Sequence, residues 1–223
     1  SGTVAPGVGA SDRPAPLHPR ARQLATSLAK RRLEGLKLYR PLPLPGMFHF
    51  SMAKWRVVVG SNRSSKTLSG LAEAARAFTA SDPYDKYQKS NGRALMVGLN
   101  NDHLSMMWRK LGEPGAFYII RDEQPPYQWR TVRPDPTDPR RLDPYDLAYK
   151  EKWREAPPLL PPRFIKSIAW EDFARRIPRK VVTVTGWDSL WRSSDGDAPQ
   201  GDHYNFVQLD EEMRNTEFYK EAS

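Results

Sequence analysis

With 223 residues, of which 39% are hydrophobic, the chain can bury a sizeable core, and this excludes a protein that is disordered throughout. It contains no cysteine, which excludes disulfide scaffolds, thiol catalysis and zinc sites that use sulfur. The 35 basic side chains outnumber the 26 acidic ones and give a net charge of +9, which favours a polyanionic partner.

The basic charge is concentrated near the start of the chain. Residues 1–60 carry 10 basic and 2 acidic side chains, whereas residues 181–223 carry 3 basic and 9 acidic ones. The four histidines are too scattered to form a metal-ligand pattern. The sequence has neither an apolar run of about 18 residues nor a signal-peptide pattern, so we expect a soluble intracellular protein that does not contact a membrane.

The first 40 residues are predicted to form a separate N-terminal part. Residues 1–20 are rich in proline and small residues, which favours an extended arm. Residues 20–38 place leucine and alanine on one half of a helical wheel and most basic side chains outside it, which predicts a basic amphipathic helix. The prolines at 41, 43 and 45 are expected to end this helix and to continue as extended chain. A single domain would then occupy residues 41–223.

Alternating strands and helices are predicted at the start of this domain. Trp55–Val59 is a short β-branched run, typical of a strand buried on both faces of a parallel sheet. A polar loop follows, and then apolar residues with helical spacing over residues 66–79. Residues 94–99 form a second buried strand, and Asp102 is the predicted N-cap of the helix after it.

The middle of the domain has a different composition. Residues 121–163 contain ten prolines and mixed charges, which predicts a long insertion outside the sheet with one helix near Pro144–Glu155. We expect this insertion to contact DNA or a neighbouring subunit. Strands are predicted at 164–170 and 181–185, with a short helix between them. Trp129, Trp187 and Trp191 are expected in loops, where they could stack at an interface.

A phosphate-binding pattern lies between the first strand and the first helix. Residues 60–67 read GSNRSSKT and fit G-x-x-x-x-G-K-[ST] except at Ser65, which replaces the second glycine. In this pattern backbone N–H groups surround a phosphate, Lys66 reaches the β- and γ-phosphates, and Thr67 offers its hydroxyl to Mg²⁺. The alternative is an ordinary polar turn with an incidental lysine. The predicted nucleotide-binding residues of this loop are Gly60, Ser61, Asn62, Arg63, Ser64, Ser65, Lys66 and Thr67.

The last predicted strand, Phe206–Leu209, runs into the acidic residues 210–212. Ligands bind at this end of the strands in open α/β sheets. Asp210 is therefore predicted to hold Mg²⁺ and Glu211 to orient or deprotonate the attacking water. The alternative is a solvated acidic helix cap. Together the two motifs predict an ATP-hydrolysing P-loop NTPase of the RecA/ASCE-like class, with a mainly parallel sheet flanked by helices.

The two motifs also resemble a known family. The segments FHFSMAKWRVVVGSNRSSKT and QGDHYNFVQLDEE are similar to the ATPase domain of the large terminase subunits of tailed bacteriophages. The resemblance covers about residues 45–216. Its most specific parts are an arginine inside the phosphate loop, here Arg63, and the segment from Gln200 to Glu212, which leads into the acidic residues. Members of this family are motors that drive double-stranded DNA into a procapsid.

The resemblance implies roles for individual residues. Lys66 and Thr67 would contact phosphate and Mg²⁺, Asp210 would be the Walker B aspartate, and Glu211 would be the catalytic carboxylate. Arg63 would be a further catalytic contact to phosphate. The aromatic residues Phe48 and His49, before the first strand, are expected to pack around the adenine of ATP.

The resemblance also implies partners and missing parts. It predicts a homo-oligomeric ring around double-stranded DNA, contacts with a portal protein and a small terminase subunit, and a location in the host cell cytoplasm. The family's core has a later strand between the phosphate-loop strand and the Walker B strand, and a nuclease domain follows. Both would come after residue 223, so we expect a sheet that is incomplete at its C-terminal end.

Two other functions remain open from the sequence. One is a helicase-like or other RecA-type DNA-dependent ATPase. The second is a noncatalytic DNA-binding or scaffold module with a degenerate phosphate loop, which the serine at position 65 would allow.

Overall fold

The computed structural model describes residues 18–59, 65–138, 141–197 and 203–211. The chain divides into two compact units, one up to Arg32 and one from Leu33 onward. In the first unit, helix α1 spans Pro19–Arg32 and exposes Leu24 and Leu28. The predicted arm at residues 1–17 lies outside the described residues.

The second unit is an α/β structure. Its helices are α2 (Gly35–Leu38), α3 (Pro43–Phe50), α4 (Lys66–Phe78), α5 (Asn101–Gly112) and α6 (Pro144–Ala148). Its strands are β1 (Arg93–Gly98), β2 (Tyr118–Arg121), β3 (Trp129–Thr131), β4 (Arg154–Glu155), β5 (Ile165–Asp172), β6 (Ile177–Thr183), β7 (Asp188–Ser193) and β8 (Phe206–Leu209). No helix in the described part of the chain combines the length and the hydropathy that crossing a bilayer needs.

The central sheet has five strands in the order β5-β6-β7-β1-β8. β7, β1 and β8 are parallel, whereas β5, β6 and β7 pair antiparallel. The sheet is therefore mixed, and the prediction of a mainly parallel sheet was wrong. Only four residues join β6 to β7 and four join β5 to β6, and connections this short allow antiparallel pairing alone.

The predicted strand at Trp55–Val59 is also wrong. This segment is irregular, and Val57 and Val59 are 84% and 91% exposed. A strand needs a hydrogen-bonding neighbour, and β8, at the end of the sheet, pairs only with β1 among the described residues. The β-branched run does not pair with this open edge of β8.

Local capping and turn geometry differ from the prediction at four places. The helix predicted at 20–38 is interrupted after Arg32, and the segment after the prolines is helix α3 rather than extended, because proline is tolerated in the first helical turn. Asn100, rather than Asp102, caps α5 by accepting a hydrogen bond from the N–H of His103. A hairpin turn, instead of a short helix, joins β5 to β6.

Three elements that the apolar pattern predicted are present in the structure. The helix predicted at 66–79 is α4, the strand predicted at 94–99 is β1, and the strand at 206–209 is β8. Trp191, which we expected in a loop, is buried in strand β7, which the sequence analysis missed. Trp187 lies in the connection before β7, as expected, but it is buried as well.

The proline-rich insertion lies outside the central sheet, as predicted. It forms a second, antiparallel sheet in the order β3-β2-β4. Its predicted helix is shorter than expected, but Asp143 caps α6 as predicted by accepting from the N–H of Tyr145. The buried Asp146 accepts two hydrogen bonds of 2.7 Å from the guanidinium of Arg130 and holds the insertion together.

Replacing Gly92 by alanine should lower the free energy of unfolding by about 1–3 kcal/mol. The new Cβ would lie 2.4 Å from Cε2 of Trp187, whose side chain is completely buried. Urea denaturation of the purified variant measures the change. Gly46→Ala is the control, because its Cβ would meet nothing closer than 4.0 Å. Equal stability of the wild type and Gly92→Ala would contradict this packing.

Candidate functional site

The beginning of α4 and the end of β8 meet through one hydrogen bond. The hydroxyl of Thr67 donates to Oδ2 of Asp210 over 2.8 Å, although the two residues are 143 positions apart. The N–H of Asp210 donates to the carbonyl of Val97 and so continues the pairing of β8 with β1. The contact therefore lies at the C-terminal edge of the parallel strands, where open α/β sheets bind ligands.

A histidine that the sequence analysis did not single out joins this contact. Nε2 of His103 lies 2.7 Å from the same Oδ2 of Asp210. His103 is in the first turn of α5, the helix that follows β1. The side chain of Asn100 accepts a hydrogen bond from the backbone N–H of His103. Because β1 is the neighbour of β8, the first turn of α5 comes to lie beside Asp210.

Ser65 shows why the phosphate-loop pattern has glycine at this position. Its backbone is left-handed, with a φ of 63°, a conformation that glycine adopts without steric cost. Ser65 is the N-cap of α4, its side chain makes no capping hydrogen bond, and its carbonyl accepts from both the N–H and the hydroxyl of Ser69. The serine thus adopts the backbone that the pattern needs.

The structure describes some of the remaining predicted residues of the two motifs but not others. Lys66 is the first residue of α4 and is partly buried. Glu211 is exposed and follows Asp210 directly, with a left-handed φ of 77°. Glu212 and the Gln200–Gly201 pair lie outside the described residues. So do five residues of the loop, namely Gly60, Ser61, Asn62, Arg63 and Ser64.

β8 and α4 approach each other closely beside this site. A Cβ on Gly70 would lie 2.6 Å from the amide nitrogen of Gln208, so a side chain at position 70 would require this amide to move. Gln208 is two residues before Asp210, and Gly70 is one turn after Thr67. The close approach of the two elements helps to fix Asp210 next to Thr67.

A second group of polar residues is buried one turn further along α4. Glu73 is fully buried, and its carboxylate accepts hydrogen bonds from side chains of four segments, of which α4 itself is one. We call this group the Glu73 cluster. Its hydrogen-bond and ion-pair partners are His49 at 2.8 Å, Arg56 at 2.7 Å, Arg76 at 2.7 Å, Tyr87 at 2.5 Å and Lys86.

The electrostatics of the Glu73 cluster favour an ionised carboxylate. Burial by itself raises the pKa of Glu73, but the hydrogen bonds from His49, Lys86, Tyr87 and Arg56 outweigh it and hold this pKa well below its usual range. Burial, together with the negative charge of Glu73, raises the pKa of the Tyr87 hydroxyl above its usual range. The carboxylate is therefore charged, and Tyr87 is neutral, at physiological pH.

A chain of hydrogen bonds connects this cluster to the phosphate-loop motif. His49 lies between Glu73 and the hydroxyl of Tyr39, which is 3.1 Å from Nε2 of His49. The same hydroxyl lies 3.4 Å from Oγ of Ser69, which donates to the carbonyl of Ser65. The buried carboxylate is thus linked to the backbone that leads into Lys66.

The proposed adenine contacts lie at this cluster. Both ring nitrogens of His49 already have protein partners, and its side chain is 2% exposed. The guanidinium carbon of Arg56 lies over the ring of Phe48, 4.8 Å from the ring centroid. Adenine binding by Phe48 and His49 stays a prediction, and His49 has a structural role in addition.

Comparison of the chain with protein-family models, with curated proteins and with solved structures found no match. The site must therefore be interpreted from its own geometry.

Replacing Glu73 by glutamine should lower the free energy of unfolding at pH 7 by about 3–5 kcal/mol, since the buried cations of the cluster lose their counter-charge. The pKa of Glu73 is lowered by folding from 4.5, so its contribution is fully present above that pH and is lost as the pH falls below it. Urea midpoints between pH 7 and pH 3 should therefore fall more steeply for the wild type than for the variant.

Asp85→Asn is the matched control. Asp85 is 74% exposed and forms a surface ion pair with Lys89, so its replacement should change stability by less than about 1 kcal/mol. Similar losses for Glu73→Gln and Asp85→Asn would show that the Glu73 cluster does not stabilise the fold.

Proposed function

We propose that the chain is an ATPase of the P-loop class whose site is formed by Lys66, Thr67 and Asp210. The hydrogen bond from Thr67 to Asp210 carries this proposal. Two motifs that are far apart in sequence, and that a Mg²⁺-dependent ATPase needs side by side, come together in it. The left-handed backbone of Ser65 supports the same function, because it preserves the glycine-like turn of the loop.

The residues at the site fit a magnesium ion. A hydroxyl and a carboxylate are hard oxygen donors, which Mg²⁺ prefers. Among the described residues, no group of three or more histidine, cysteine, aspartate or glutamate side chains could hold a metal ion. Mg²⁺ usually takes one or two protein oxygens and completes its shell with water and nucleotide phosphates.

Each residue has a distinct task in the proposed reaction. Lys66 neutralises negative charge on the β- and γ-phosphates, and Thr67 and Asp210 hold Mg²⁺, which supplies further charge neutralisation when bound. Glu211 orients the attacking water and accepts its proton. Arg63 provides an additional positive charge beside the phosphates.

We further propose that this ATPase is the motor of a viral DNA-packaging terminase. The support is the resemblance of both motifs to that family and the basic first unit, in which residues 1–32 carry six basic side chains and one acidic one. The motor would act as a homo-oligomeric ring on double-stranded DNA in the host cell cytoplasm. A portal protein and a small terminase subunit would be its partners.

Lys66→Ala should abolish ATP hydrolysis, because the principal positive charge facing the phosphates is lost. Glu211→Gln should keep ATP binding but lower the turnover rate by about 10²–10⁴-fold, since the amide cannot accept the proton. Phosphate release measures turnover, and calorimetry measures binding. Lys89→Ala, which changes an exposed lysine, should hydrolyse ATP like the wild type.

Unimpaired hydrolysis in either site variant would contradict the assignment. Nucleotide binding by the wild type without any hydrolysis would favour the noncatalytic module instead.

Arg20→Gln combined with Arg22→Gln should weaken the salt dependence of DNA binding. Each lost phosphate contact lowers the slope of log affinity against log salt by about 0.9. Fluorescence anisotropy with a DNA duplex measures this slope. The titrations cover about 50 to 200 mM salt, where the affinity of a protein for DNA falls steeply. Lys166→Gln with Arg179→Gln removes two exposed charges from the second unit and is the matched control. If the two double variants have equal slopes of log affinity against log salt, α1 does not contact DNA more than the second unit does.

A further inference from the structure

We propose that His103 is a positioning residue that holds the carboxylate of Asp210 in the orientation needed to bind Mg²⁺. This inference rests on the proposed ATPase function. The observation behind it is that Asp210 has two partners on different elements, Thr67 on α4 and His103 on α5, and both contact the same oxygen.

The shared oxygen determines what the carboxylate can still do. Thr67 and His103 lie 2.8 and 2.7 Å from Oδ2 of Asp210, and both side chains donate to it. A carboxylate offers about four acceptor directions on its two oxygens. Both contacts use Oδ2, so Thr67 and His103 leave the lone pairs of Oδ1 for a metal ion or a metal-bound water.

The backbone N–H groups of His103 and Asp210 are both hydrogen-bonded. The N–H of His103 donates to the side chain of Asn100 at the start of α5, and the N–H of Asp210 donates to the carbonyl of Val97 on β1. Asn100 and Val97 belong to the same short stretch of chain. The imidazole therefore reaches Asp210 from a fixed point, and its hydrogen bond, together with that of Thr67, limits rotation of the carboxylate.

Burial strengthens this contact. The side chains of His103 and Asp210 are each 11% exposed, so water competes little for the hydrogen bond. A histidine is also a poor ligand for Mg²⁺, which prefers oxygen. Orientation of the carboxylate is thus the role that the geometry of His103 supports, and direct coordination is not.

The loss of such a supporting partner typically weakens metal affinity by about 10–100-fold. The chain offers three variants that separate positioning from packing. His103→Leu keeps much of the side-chain volume but removes the donor, whereas His103→Gln can place an amide N–H near the position of Nε2. His203→Leu changes an exposed histidine and is the matched control.

The experiment measures nucleotide affinity instead of turnover. A fluorescent ATP analogue is titrated into the full chain in Mg²⁺ and again in EDTA, and the ratio of the two dissociation constants gives the gain from Mg²⁺. His103→Leu should reduce this gain by about tenfold or more without changing the affinity in EDTA. His103→Gln should restore most of the gain, and His203→Leu should keep all of it.

A gain from Mg²⁺ that is unchanged in folded His103→Leu would overturn the inference. If His103→Leu does not fold, as judged by circular dichroism, His103→Asn is compared with His103→Gln, because asparagine is too short to reach Asp210. Equal gains for those two variants would also overturn it. Failure of the wild type to bind nucleotide in either condition would instead overturn the proposed function, and the role of His103 with it.

Discussion

Burial of the Glu73 carboxylate imposes the strongest physical constraint on the second unit. A charge without exposed surface is tolerated only where opposite charges and hydrogen bonds replace water. The replacements come from α3, from the segment after it, from α4 itself and from the loop before β1. These four segments must therefore adopt their positions together, and the irregular chain that carries Arg56 is fixed although it is not part of a sheet.

The same constraint extends toward the candidate site. Hydrogen bonds lead from Glu73 through His49, Tyr39 and Ser69 to the carbonyl of Ser65. Compared with apolar residues of similar volume, a buried ion pair contributes little net stability, because desolvation offsets most of the attraction, although removal of one partner alone is costly. The network instead favours conformational specificity, because it ties α3 and the buried Glu73 to the start of α4.

The sequence predicted those elements whose patterns are local. Leucine, methionine and tryptophan at helical spacing predicted α5, and an apolar run ending in acids predicted β8. Strand β7 was missed because its short sequence DSLWRS neither alternates polar and apolar residues nor contains a β-branched run. Trp55–Val59 has strong β propensity, but propensity cannot supply the neighbouring strand that pairing requires.

The candidate site was predictable only in part for a similar reason. Lys66, Thr67 and Asp210 belong to motifs that can be recognised along the chain. His103 lies 107 residues before Asp210 in an unremarkable helix start, and only the parallel pairing of β1 with β8 brings the two together. Glu73 resembles an ordinary surface glutamate paired with Arg76 until the folded chain surrounds it with cations.

The serine at position 65 has a consequence for the backbone at the start of α4. A left-handed backbone costs an L-residue about 1–2 kcal/mol in the folded state, a cost that glycine avoids. Serine also restricts the unfolded chain, and a side chain in place of glycine saves about 0.4–1 kcal/mol of conformational entropy on folding. These two terms oppose each other, so global stability is a poor measure of this substitution. Its effect is local: a serine has fewer accessible backbone states than a glycine at the residue that leads into α4.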